Sequence, residues 1–306
     1  MTNAPHAPAS GKEGSRDGRA YLLLALAVLC FATLWPATKI GLAEASPMCF
    51  AAARAALGCL GSFALLAGLG RLQLPSRRDL PAVLSIGLLQ MSAFFAFMNL
   101  GLSLLPAGRS IVLGYTTTLW LVPLALLVGE PIDRRRALGV AVGLAGVAVL
   151  CNPLAIDWSN ASVLGGHAAL LLAALAWALT IFHANRHRWQ RSPFELLPWQ
   201  FLSATVVLTL LAWLVEPSGG IGRGRAALLS LLYIGLFAGP VGTWASVTVA
   251  SRLPTLITSL GFLAVPVLGM LLATLALGEP LGADLFAGGG LVLAGLVLVA
   301  LGRARG

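Results

Sequence analysis

The sequence predicts an all-α integral membrane protein, with ten transmembrane helices arranged as two inverted five-helix repeats. Three observations lead there. Of 306 residues, 58% are hydrophobic and only 10% are charged, and the mean hydropathy is +0.90. A soluble domain carries about 25% charged residues. Apolar runs long enough to cross a hydrocarbon core of ~30 Å, which takes ~20 residues, recur ten times with short polar segments between them. Finally, distinctive residues of the first half recur in the same order in the second, 142 to 149 positions later.

Taken in order, residues 1–19 are polar and rich in Gly, Pro and Ser, and read as a disordered tail. The ten predicted spans then run over 20–42, 47–70, 79–102, 105–128, 134–152, 162–185, 194–215, 226–250, 254–277 and 281–302. The first, with Arg16, Arg19 and Ala43-Glu44-Ala45, has some features of a cleavable signal peptide. Its apolar stretch is longer than an h-region of about 7–15 residues, and Lys39 interrupts its end, so a retained span is the better reading. The abundant Gly and Pro are compatible with membrane helices, where neighbours satisfy freed backbone groups. Cys30, Cys49, Cys59 and Cys151 lie in or beside apolar runs without metal-ligand spacing, and read as small buried hydrophobes rather than a disulfide framework.

The net charge of +9 would suggest nucleic acid in a soluble protein, but the basic residues form short clusters between apolar runs, which is the pattern of orientation signals. With the N-terminus inside, fifteen of the 20 Lys and Arg fall on the cytoplasmic side and three outside, while Lys39 and Arg54 lie within spans. This bias predicts a multi-pass protein of the cell membrane with both termini cytoplasmic and an even number of crossings. The expected partners are the lipid bilayer and a small-molecule substrate, not nucleic acid.

The repeat is read from five markers. Gly129-Glu130-Pro131 recurs as Gly278-Glu279-Pro280, each followed by glycines nine and sixteen residues after the glutamate, at 139 and 146 and at 288 and 295. "LLPAG" (104–108) faces "RLPTL" (252–256), Ser46-Pro47 faces Ser192-Pro193, and Trp35 faces Trp177. The units are 20–152 and 162–302. Five spans is an odd number, so the second unit enters the membrane from the opposite side. Inverted repeats are a recurring architecture of secondary transporters, with the site at the repeat interface near the midplane.

These residues resemble a known family. "CFATLWPATKIGL", "SPMCFAAARAAL" and "PLALLVGEPIDRRRALGVAVGLAGVAVL" in the first half look like the EamA repeat of the drug/metabolite transporter superfamily. "LLAALAWALTIF" and "FLAVPVLGMLLATLALGEPLGADLFAGGGLVLAGLVLVAL" look like its second copy. The proline usual in the family thirteen residues before the glutamate is Pro266 in the second copy and Thr117 in the first, where Pro123 comes later. The resemblance covers nearly everything from 20 to 302. It implies a ten-helix exporter or importer of small metabolites and not one substrate, because the family carries amino acids, drugs, nucleobases and other solutes; an exporter of an amino-acid-like or drug-like solute working by alternating access is the expectation.

Polar residues inside the membrane are the candidate binding groups, because a charge at the bilayer centre costs ~2.5–3.5 kcal/mol on insertion scales. Lys39 shares a helix face with Trp35, and Arg54 lies seven residues after Pro47. Two readings stand. The cations can snorkel outward and pair with Glu44, or Lys39 or Arg54 can contact a carboxylate or other anionic group of the solute. The second draws on asymmetry, since the repeat positions hold Ile181 and Gln200. Gln90 and Asn99 read as interhelical packing groups or cavity groups. Tyr233, Phe237, Pro240 and Trp244 form one helix face, a packing or lipid stripe unless the kink expected at Gly239-Pro240 turns it to a cavity. Tyr115, Trp120 and Trp177 could join an aromatic lining, which the resemblance connects to exporters of aromatic amino acids. His183 closes span six beside Arg186, His187 and Arg188, either as a solvated basic cluster or as a proton-coupling group. The glycines at 139, 143, 146, 288, 289, 290 and 295 suit close helix contact, within the monomer or across a homodimer.

Enzyme chemistry finds no candidate catalytic residue: the aspartates sit at span edges or outside, and no metal-spaced His/Cys cluster and no phosphate loop occurs. No cofactor and no metal are expected. An intramembrane enzyme or a non-transporting membrane component is the alternative class. The Gly-Glu-Pro tripeptides read as structural turns. Gly129 and Gly278 stop one helix, and the prolines suit the first turn of the next. Glu130 and Glu279 would then sit at that next helix's N-terminus, on opposite membrane faces.

Overall fold

The apolar runs fold as helices, and the glycines and prolines between them decide where each helix stops. In the computed structural model the described residues are 13–129, 133–151, 159–250 and 252–302, and no strand occurs among them. Helix α1 is Glu13–Leu42 and α2 is Pro47–Gly68. The third span, Leu80–Leu104, runs as α3 (Leu80–Ser85), a π-helical segment (Ile86–Ala93) and α4 (Phe94–Leu104). The fourth, Ala107–Leu127, is α5 (Ala107–Gly114) followed by α6 (Thr117–Leu127). Next come α7 (Arg134–Cys151), α8 (Ala161–Arg186) and α9 (Leu197–Val215). The next region is α10 (Arg225–Leu232), a second π-helical segment (Tyr233–Ala238) and α11 (Gly239–Ala250). Finally there are α12 (Thr255–Phe262), α13 (Ala264–Leu277) and α14 (Ala283–Gly302).

Among the described residues, nine stretches are long and apolar enough to cross a membrane. The fifth predicted span, 134–152, is helical over Arg134–Cys151, but its 18 residues include three arginines at the start and it is not one of the nine. The chain is a multi-pass membrane protein. Its surface carries apolar side chains that water would not tolerate in such number, among them Leu127, Trp213, Leu275 and Phe286, each more than two-thirds exposed.

The third span of each half contains a π-helical segment, starting at Ile86 and at Tyr233. The fourth span of each half starts after a proline N-cap, Pro106 or Pro254, with an eight-residue helix that then breaks. In the first half the break falls at Tyr115-Thr116, and in the second at Leu263. Thr117, standing where the second copy has Pro266, turns its hydroxyl onto the carbonyl of Gly114 at 3.0 Å and so covers a group freed by the break. Gly129 and Gly278 both end their helices at positive φ, 76° and 68°, where a side chain would be strained. Glu130 and Pro131 lie outside the described residues.

The halves interlock through reciprocal contacts. Helix α1 packs on α11 and α13, as α8 packs on α4 and on α5–α6, while α2 pairs with α9 and α7 with α14. The α7–α14 contact is a glycine seam. A Cβ at Gly139 would stand 2.8 Å from the Gly295 carbonyl, one at Gly146 2.6 Å from the Val292 nitrogen, and one at Gly295 2.5 Å from the Gly139 carbonyl. Gly139, Gly143, Gly146, Gly288 and Gly295 are thus used inside the chain. Gly289 and Gly290 meet nothing closer than 3.7 Å and nothing within 4 Å, respectively.

Candidate functional site

The deviations from regular α-helix lie at the middle of the bundle, where they border a cavity. The π-segments Ile86–Ala93 and Tyr233–Ala238 contribute Gln90, Met91, Ile234 and Gly235 to the lining described below, and Gly239 is needed where the second one ends. There a Cβ would lie 2.8 Å from the carbonyl oxygen of Ile234, five residues back. The bend expected at Gly239-Pro240 therefore takes the form of a π-turn ahead of the pair. Between these segments, α1, α2, α8 and the break at Tyr115 lies a cavity in two adjoining chambers.

The larger chamber, of about 400 Å³, is lined by Phe31, Gln90, Thr117, Trp177, Ser246 and Ser259, among others. The smaller, of about 100 Å³, is lined by Trp35, Arg54, Phe94, Phe95, Met98 and Pro240, among others. Phe31, Gln90, Tyr115, Trp177 and Thr243 border both. Aromatic rings dominate the walls: Trp35 and Tyr115 are 6.5 Å apart at their centroids, and Phe94 meets Trp177 edge-on at 4.9 Å. No Asp or Glu lines either chamber.

Arg54 is the one cation among the lining residues, and it is 6% exposed. Its guanidinium carbon sits 4.0 Å above the centre of the Phe95 ring. One terminal nitrogen, Nη1, is buried without a hydrogen-bond partner among the described residues. A desolvated cation–π contact contributes ~2 kcal/mol, whereas burying an ion costs several kcal/mol. The Phe95 contact alone therefore leaves the burial of this charge only partly offset.

Of the residues singled out from sequence, the fold brings Trp35, Arg54, Gln90, Tyr115 and Trp177 together at the cavity. The others sit elsewhere. The Lys39 ammonium donates to the carbonyls of Leu102 (2.6 Å) and Leu105 (2.8 Å), where the C-terminus of α4 offers unsatisfied oxygens. It neither snorkels to Glu44 nor reaches the chambers. Asn99 is fully buried and donates to the Pro47 carbonyl at 3.0 Å, tying α4 to α2. The Tyr233 hydroxyl shares a 2.6 Å hydrogen bond with that of Thr33. Trp120 is half-buried away from both chambers, and Trp244 and Phe237 are 44% and 49% exposed on the outer face of their helix. His183 stacks edge-on to His187 at 6.2 Å, outside the cavity. His187 is not a freely solvated side chain: it is 13% exposed and its Nε2 lies 3.2 Å from Asp79 Oδ1. Phe31, Phe95, Thr243 and Ser246 line the cavity and carry no signal in the sequence that separates them from other span residues.

The acidic side chains have a role that the sequence did not reveal. Glu279 does not serve α14. Its carboxylate accepts from the N–H groups of Ala107 (2.7 Å) and Gly108 (3.0 Å) at the start of α5, in the other half. Glu216 likewise accepts from Met48 and Cys49 at the start of α2, at 3.0–3.1 Å. Glu44 accepts from Gly224 at the start of α10 (2.8 Å). Asp284 is paired with Arg109. These four contacts lie at one end of the bundle, and each joins one half to the other. A helix N-terminus presents free N–H groups and a positive dipole, so a carboxylate there is held by charge-assisted bonds. At the opposite end Asp79 accepts from the Gln190 N–H (2.9 Å), and Arg71 bonds Glu195 at 2.7 Å. Burial raises the pKa of Asp79, but the bonds from Gln190, Ser76 and His187 more than offset it and hold the carboxyl below its usual range.

The comparisons agree with this architecture. The model of the EamA-like transporter family matches residues 18–152 and again 164–301. An uncharacterized transporter of Bacillus subtilis, YvbV, is 28% identical over 297 residues, covering 92% of this chain and 91% of its own. A probable terminal-alkyne amino-acid exporter of Streptantibioticus cattleyicolor is 26% identical (94% and 96% covered). A probable amino-acid metabolite efflux pump of Salmonella typhimurium is 28% identical (94% and 95%). A solved crystal structure, 23% identical, superimposes with a TM-score of 0.66 over 94% of this chain and 97% of that one, and shares the fold. With the family model matched in both halves and the helices of both halves in place, the chain belongs to the EamA-like transporter family.

Proposed function

We propose that the chain is a secondary transporter that exports a small organic metabolite, amino-acid-like or drug-like, across the cytoplasmic membrane by alternating access. In this reading α7 is the fifth crossing and brings the total to ten, the five-helix halves are inverted relative to each other, and both termini are cytoplasmic. The observation that carries the proposal is the cavity at the junction of the two halves, walled by helices of both and bordered by broken or π-helical segments. Inverted-repeat carriers place their solute at that position.

Two features support alternating access. The larger chamber is bordered by residues in the C-terminal parts of α8, α11 and α14 and in the second half of α12, toward the end of the bundle away from the carboxylate caps on α2, α5 and α10. Contacts between the halves occur at both ends, but the carboxylate caps on helix starts cluster at one, and the larger chamber lies toward the other. The relatives named as amino-acid exporter and amino-acid metabolite efflux pump support the direction and the solute class. The test is growth of an overexpressing strain across an array of amino acids and toxic analogues. Protection against a defined subset, lost when Thr243→Trp fills the junction of the chambers, is expected. An unaltered tolerance profile across the array contradicts the proposal.

A further inference from the structure

Arg54 stands in the wall of the smaller chamber, with one guanidinium nitrogen buried and unpartnered among the described residues. It lies two helical turns from the start of α2, toward the capped end, and its flat face is taken by Phe95. Nη1 is left without a hydrogen-bond partner among the described residues, and the N–H donors of a guanidinium form a fork that matches a carboxylate. The groups around it are aromatic or apolar: Trp35, Phe94, Met98 and Phe201. Gln90, at the junction of the chambers, adds a neutral hydrogen-bonding group. Neither chamber offers an acidic side chain that could pair with a second, positive group on the solute.

We propose that Arg54 is the anion-recognition group of this cavity and that the transported solute is a monocarboxylate with an aromatic or branched apolar body, recognised by its carboxylate and not by an ammonium. The inference rests on the reading of the cavity as the solute site. The carboxylate docks on the guanidinium of Arg54 toward the capped end, and the apolar body lies among Trp35, Tyr115 and Trp177 toward the larger chamber. Lys39, held by two carbonyls, takes no part. An amino acid enters as a carboxylate whose ammonium finds no charge partner, so removing the ammonium costs it little.

The experiment measures binding to the purified full chain by quenching of tryptophan fluorescence and by ligand-induced thermal stabilisation. The probes are 3-phenylpropionate, L-phenylalanine, 3-phenylpropionamide and L-phenylalaninamide. The two carboxylates are expected to bind within about tenfold of each other, and the two amides at least about 30-fold more weakly, the loss typical when one partner of a buried charge pair is absent. In Arg54→Gln the preference for carboxylate over amide disappears, and in Arg54→Lys it is partly retained. The wild-type comparison of acid with amide stands even if a variant fails to fold. Equal binding of acids and amides by the wild type, or no binding of either carboxylate, overturns the inference. So does an undiminished acid preference in folded Arg54→Gln. The growth array separates the two levels: protection there by a solute of another class, with these results negative, leaves the transporter reading standing and removes only the carboxylate.

Discussion

Removing the Glu279 carboxylate should unseal the capped end of the bundle. It accepts two backbone N–H groups of α5, at 2.7 and 3.0 Å, and the two other caps at that end, Glu216 and Glu44, also tie one half to the other. A hydrogen bond to a charged group contributes ~1.5–3 kcal/mol. Glu279 is only half-buried, so solvent competes for both partners and about half of the sum survives. That leaves ~1.5–3 kcal/mol for the pair. At ~1.4 kcal/mol per tenfold, Glu279→Ala shifts the sealed–open equilibrium about 10- to 150-fold toward open. Glu279→Gln keeps a carbonyl acceptor without its charge and falls between. The assay places a single cysteine at Met98, fully buried in the wall of the smaller chamber, in a chain freed of its four native cysteines. It then follows labelling by an impermeant maleimide from the capped side. An accelerated rate in Glu279→Ala is expected. An unchanged rate in a variant of wild-type thermal stability refutes the argument that these caps hold the end shut.

Further outcomes follow from the same geometry. Gly295→Ala puts a methyl within 2.5–2.7 Å of the backbone of Gly139 and Gly143 and should destabilise the chain by ~1–3 kcal/mol; Gly290→Ala, with nothing within 4 Å, should be neutral or mildly stabilising in detergent thermal unfolding. Gly239→Ala, facing the Ile234 carbonyl at 2.8 Å, should lower flux by straightening the π-segment, read against its thermal stability. The carboxyl of Asp79 is held below its usual range, so the fold favours its charged form. The stability it contributes is present above the ordinary carboxylate pKa of about 4 and is lost only as pH falls through the lower, folded value. Protection of the Gln190 amide against hydrogen exchange, corrected for intrinsic rate, should therefore hold from pH 7 to pH 5 and be absent in Asp79→Asn at both.

The sequence made the helices legible because lipid imposes a simple rule: a span must be apolar for about twenty residues. Proline and glycine then mark its ends, as Pro106, Gly129 and Gly278 do. The glycine seam between α7 and α14 was equally readable from spacing, though not which partner it would meet. The π-segments were not legible, since Ile86–Ala93 and Tyr233–Ala238 differ from α-helix in hydrogen-bond register and not in hydrophobicity. The site was half legible. Charge scarcity singled out both Lys39 and Arg54, but only packing decides that carbonyls satisfy one while the other faces a cavity. The carboxylates misled in a specific way. Glu279 was read as serving the helix that follows it, because sequence shows only local neighbours. Its partner in the fold is a helix start 172 residues away in sequence.

The most direct measurement is flux through the purified chain in proteoliposomes loaded with small amphipathic solutes, carboxylates among them. The account predicts saturable movement of a subset, abolished by Thr243→Trp at the junction of the two chambers. A folded wild-type protein that moves none of them, or a rate indifferent to that block, would contradict it.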